Sequence, residues 1–163
     1  MAKGDIQPFE NAGSGKMPGS LKYAVASGTS ASINAGEPVE KLAGTNYVKA
    51  MVTNAPTATD RIVGVAASAS TETASAVGTV DVIPATNGQV WLIAPKVAAT
   101  WNTQAEYNAL VGSRVLIDLT AGVYTILAAD SAGNGCIVEY LDVARNPGKV
   151  AFSFSPLVDY RNV

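Results

Sequence analysis

The chemistry open to this chain is limited first by a residue it lacks. Its 163 residues include no histidine, so Ser-His-Asp and Cys-His nucleophiles, imidazole metal ligands and histidine acid–base catalysis are excluded by residue type. The single cysteine, Cys136, has no partner for an internal disulfide and no imidazole to activate it. It reads as a buried, inert thiol. Asp118, Glu139 and Asp142 come nearest to the paired carboxylates of glycoside hydrolysis. That chemistry needs two carboxyl groups at a fixed separation, and nothing in the spacing sets one. The 13 acids are spread at about one per strand or turn, a pattern that suits a solvated face. Trp91 and Trp101 are candidates for an aromatic platform under sugar rings or bases, or for filling a core or an interface.

Two short motifs fall short of their templates. Gly13-Ser14-Gly15-Lys16 resembles the end of a phosphate-binding loop, but Glu10 occupies the first glycine slot and Met17 the hydroxyl slot. Asp130, Asn134 and Gly135 sit as in the first half of a calcium loop, yet Ala132 takes the third ligand position and Leu141 the twelfth. A tight turn uses these residues better. No cofactor and no metal are expected.

The elements that would carry these residues are short and β-rich. Apolar residues alternate with small or polar ones in 21–25, 47–52, 61–65, 79–83, 89–93, 114–119, 123–127, 136–141 and 150–154, and period-two alternation places one face in a core. Asn87-Gly88 between two such runs predicts a hairpin. Residues 103–110 predict one short helix, capped by Thr103 or Asn102 and stopped at Gly112. The small, polar stretch 66–76 suits either a surface loop or a close-packed strand. The expected fold is all-β, a short-stranded sandwich or barrel-like domain over 21–163. Residues 1–20 hold four glycines and two prolines, a density that opposes a helix or a central strand, and they read as an extended N-terminal arm.

Charge excludes further classes. Eleven basic against 13 acidic residues give a net charge of -2, which argues against a nucleic-acid partner. No apolar run is long enough to span a membrane as a helix, and the N-terminus lacks the apolar core of a secretory signal. With every catalytic template failing on residue type, the protein is expected to be no enzyme and to work as a surface.

The order Tyr107-Asn108-Ala109-Leu110-Val111-Gly112, Val115-Leu116-Ile117-Asp118-Leu119, Gly122-Val123-Tyr124-Thr125-Ile126, Gly135-Cys136-Ile137-Val138 and Gly148-Lys149-Val150-Ala151-Phe152-Ser153-Phe154 resembles tailed-phage capsid decoration (cement) proteins. Ile33–Val39 and Ile62–Ala66 fit the same strand–turn style, so the resemblance spans about residues 20–156. It implies a β-tulip domain that forms a homotrimer on the outer surface of a virion head, made in the host cytoplasm, and ties neighbouring capsomers of the major capsid (coat) protein together. It also implies an N-terminal arm that reaches a neighbouring subunit. On this reading Ile6, Pro8, Phe9 and Met17 anchor the arm, and Trp91 and Trp101 contribute to a trimer or surface contact. The alternative is a carbohydrate-binding or host-adhesion β module, which would use an exposed Trp91/Trp101 pair.

Overall fold

The computed structural model describes residues 6–11, 19–28, 32–51, 62–85, 89–127 and 135–155. They form an all-β protein with one short helix. In chain order the strands are β1 (Gln7–Asn11), β2 (Leu21–Val25), β3 (Pro38–Lys41), β4 (Tyr47–Ala50), β5 (Ile62–Ala66), β6 (Gly78–Pro84) and β7 (Gln89–Ile93). After helix α1 (Gln104–Leu110) follow β8 (Arg114–Thr120), β9 (Val123–Leu127), β10 (Cys136–Val138) and β11 (Val150–Phe154).

Strands β2, β4, β3, β5 and β6 close into a small barrel in that order, with β6 pairing back onto β2. Its filling is Val25, Ile33, Val39, Val48, Ala50, Val63, Ala66, Val80 and Val82. Five strands enclose a narrow bore, and compact β-branched side chains suit both the bore and the pleat. Backbones approach closely at Gly64, where any Cβ would strike the Ile83 carbonyl oxygen on the neighbouring strand. The stretch after β5 is a loop, yet an ordered one. Ala67 and Thr71 donate to the Asp81 and Thr79 carbonyls, and Ser70 donates to that of Ile33.

The other strands form a six-stranded sheet in the order β1-β7-β11-β10-β8-β9. It curls until its far end returns to β7: the Lys96 amide donates to the Ile126 carbonyl and the Ile126 amide to that of Ala94. Inside the curl lie Trp91, Ile93, Val115, Ile117, Tyr124, Ile126, Cys136, Val138 and Phe152. Met51, Ile62, Val65 and Ala85 from the barrel side join the same cluster, so one apolar core runs through both units. Across that junction the Tyr124 hydroxyl donates to the Met51 carbonyl at 2.6 Å.

Two sequence expectations need correcting. Strands β6 and β7 are consecutive but do not pair as the expected hairpin, and Asn87-Gly88 itself lies outside the described residues. Strand β6 pairs with β2 and β5, whereas β7 pairs with β1 and β11. The chain crosses between the two units here, because Ala85 is buried in the shared core and its amide donates to the Val63 carbonyl. The second correction concerns the N-terminal arm. Residues 7–11 are extended, as their composition demands, but they are the end strand of the body's own sheet. Ile6 is only 3% exposed, inside the core, and Phe9 packs against it. A ready apolar sheet supplies the burial that offsets the ordering entropy this segment could not meet alone. Its features are those of an edge strand: Pro8 removes a donor, and the register slips in a bulge around Phe9.

Candidate functional site

Helix α1 places the best-defined polar cluster. Thr103 accepts from the Glu106 amide while the Glu106 carboxylate takes the Thr103 amide, a reciprocal capping box. The chain leaves the helix through Gly112 at φ +80°, a conformation that favours glycine. So anchored, the helix buries Tyr107 completely. The Ala151 amide donates to the Tyr107 hydroxyl at 2.8 Å, and that hydroxyl donates to the Glu139 carbonyl at 3.0 Å. Burial, the larger cause, and the nearby Glu139 charge push the phenol up to about 12, against the Ala151 hydrogen bond that lowers it.

The loop between β10 and β11 is built on this platform. Gln104 holds it from the helix side, donating to the Leu141 carbonyl and accepting from the Val143 amide, each at 3.0 Å. Asp142 then accepts from the Ala144 and Arg145 amides, and Arg145 Nε lies 3.3 Å from its other carboxylate oxygen. Facing β1, the loop leaves a depression of about 230 Å³ lined by Phe9, Tyr140, Leu141, Asp142, Arg145 and Asn146. Tyr140 is 65% exposed there, and the Arg145 and Asp142 side chains are 84% and 43% exposed.

Each of the anticipated carboxylates is engaged by partners of its own. Asp118 lies under Lys96, whose ammonium is 2.7 Å away, and accepts from the Thr120 hydroxyl at 2.7 Å. Burial alone would raise its carboxyl; the Lys96 and Thr120 hydrogen bonds and the Lys96 charge outweigh that and hold it below the usual range. Glu139 takes the Ser153 hydroxyl at 2.6 Å, and Asp142 shapes its own turn. Burial raises the Cys136 thiol well above its ordinary value, which suppresses thiolate. Among the described residues no group of three His, Cys, Asp or Glu side chains could hold a metal ion. The Gly13–Lys16 and Asp130–Asn134 motifs lie outside the described residues.

The anticipated binding residues are also redistributed. Trp91 and Trp101 are 0% and 2% exposed, so neither forms a trimer or surface contact in the folded chain, and the exposed tryptophan pair required by a glycan platform is absent. They serve as core instead: Trp91 packs edge-on against Phe154, and Trp101 against Tyr107. Both indole N–H groups are buried, with no hydrogen-bond partner among the described residues. Ile6 is core and not an arm anchor, Pro8 and Phe9 are partly buried on β1, and Met17 lies outside the described residues. The Tyr140–Asn146 depression carries no sequence motif; its only trace is the turn signal of Asn146-Pro147-Gly148. Among the described residues, no helix is long and apolar enough to cross a membrane. No protein-family model, curated protein or solved structure matches the chain.

Proposed function

We propose that the protein is a structural virion component, a capsid decoration protein. In this reading it binds the outer surface of a phage head as a homotrimer and stabilises the head by bridging neighbouring coat-protein capsomers. It performs no chemistry of its own. The observation that carries the reading is how the reactive side chains are used. Glu106 caps a helix, Glu40 pairs with Lys49, Glu37 ties down the Asn34 turn, Asp118 braces a sheet seam and Glu139 holds Ser153. Cys136 is sealed in the core. These groups maintain the fold, which leaves the outside of a rigid β body as the working part.

The resemblance to decoration proteins supplies the trimer and the capsid position, and the all-β body with one helix is compatible with both. A pressurised shell fails by separation of its subunits, and a bridging protein opposes this by adding contact area across the seams. Each contact can be weak, because three sites engaged together gain roughly 10²–10⁴-fold through effective concentration. With residues 6–11 built into the body, the bridge is the folded surface and not a free arm at those positions. Sedimenting the purified protein alone and then with empty heads tests the reading. Trimeric mass and saturable co-sedimentation support it; a monomer left in the supernatant opposes it.

A further inference from the structure

We propose that the depression between β1 and the Tyr140–Asn146 loop binds a single pyranose ring of a neutral carbohydrate, a function separate from capsid binding. Its size comes first. At about 230 Å³ it lies below the ~300–1,000 Å³ range of drug-sized ligand sites and suits one six-membered ring. A pyranose offers an apolar C–H face and a rim of hydroxyls that both donate and accept. The depression offers the complement. Tyr140 and Phe9 provide aromatic surface, Arg145 donors, Asp142 an acceptor and Asn146 both.

Charge and rigidity narrow the choice. Among the described residues of the lining the charged ones are Asp142 and Arg145, and they are paired, so their charges cancel and favour a neutral ligand over phosphate or carboxylate. The loop is also held beforehand: the Asn146 side chain donates to the Asp142 carbonyl at 3.2 Å, and Gln104 anchors the backbone from behind. A preorganised loop lowers the ordering cost of binding. An extended peptide fits less well. It would have to add to the β1 edge, where Pro8 lacks a donor and the bulge interrupts the ladder.

The test is amide NMR on the full chain, titrated with methyl glycosides of glucose, galactose and N-acetylglucosamine. One small ring binds weakly, with a dissociation constant on the order of millimolar. At least one glycoside should give saturable shifts confined to Phe9 and residues 140–146. Tyr140→Ala should weaken binding roughly tenfold, Arg145→Ala should weaken it too, and Tyr140→Phe should retain most of it. Tyr140 is largely exposed, so these variants should keep the wild-type melting temperature. Three outcomes overturn the proposal: no shift with any of the glycosides, shifts that survive Tyr140→Ala, or the same amides moving with protein concentration alone. The last would make this face a self-association surface. Capsid co-sedimentation is scored separately and neither rescues nor removes the result.

Discussion

The Tyr107 hydroxyl is inserted between Ala151 and Glu139, the residue that faces it across the β10–β11 register. Just past Val138 the Glu139 amide still donates to the Ala151 carbonyl at 2.9 Å, but the reciprocal bond is opened: the Ala151 amide donates to the phenol oxygen at 2.8 Å and the phenol donates to the Glu139 carbonyl at 3.0 Å. One side chain from the helix thus patches a sheet ladder and fixes the start of the Tyr140–Asn146 loop.

Tyr107→Phe keeps the ring contact with Trp101 but leaves the buried Ala151 amide without its acceptor. The expected loss is about 1–3 kcal/mol, read by urea unfolding. A change within error would mean that water or a local shift satisfies the amide.

The same phenol sets an alkaline limit. Its value in the folded protein is raised to about 12 from 10.0, so above pH ~10 the unfolded chain releases a proton that the native state keeps. Stability is therefore full below pH ~10 and falls as pH rises from there towards 12. Tyr107→Phe should flatten part of that decline in melts across this range. An identical decline in the variant would assign it elsewhere, with Tyr124, which burial chiefly also raises, the first alternative.

Asp118 sets the acid side. Its carboxyl is held below the ordinary carboxylate range in the native state, so its contribution is present above the unfolded value of about 3.9. It is lost as pH falls through the lower native value. Asp118→Asn should reduce stability at neutral pH and shrink the acid-induced loss, because Lys96 loses its partner at the seam. Equal acid sensitivity in both proteins would contradict this role.

The turn from β8 to β9 carries local strain. Ala121 and Gly122 both have positive φ, 51° and 76°, the geometry of a two-residue hairpin turn that favours Asn-Gly. Ala121→Asn should stabilise by about 0.5–1 kcal/mol, raising the melting temperature by roughly 1–4 °C. A lower melting temperature would show that Ala121 makes a contact worth more than the strain.

Strand β1 is part of the folded body, which predicts a stability effect where an independent arm would show none. Ile6→Ala should cost about 2 kcal/mol, the low end for a buried isoleucine, since an edge strand can settle into the space. An unchanged melting temperature would return this segment to the status of an arm.

How much of this was legible in the sequence follows from the range of the forces involved. Nine of the strands and α1, with its Thr103 cap and Gly112 stop, are written locally, in the alternation of 78–84 and 150–154 and in the spacing of Thr103 and Glu106. Partner choice is not local. Nothing in Asn87-Gly88 reveals that β6 and β7 belong to different units, because that depends on where Ala85 and Trp91 find apolar company. Strand β1 was obscured by Pro8, which lowers any strand signal and is tolerated only at an edge. The tryptophans misled because a large amphipathic ring suits a platform and a core equally well. The Tyr140 depression joins residues separated by most of the chain, so no spacing rule points to it.

The central claim, the proposed role as a capsid decoration protein, is tested most directly by sedimenting the protein with empty phage heads and imaging the complex. The account predicts saturable binding, trimeric density over the junctions between capsomers and heads that resist heating better than bare ones. Unbound protein, or heads equally fragile with and without it, would contradict the account.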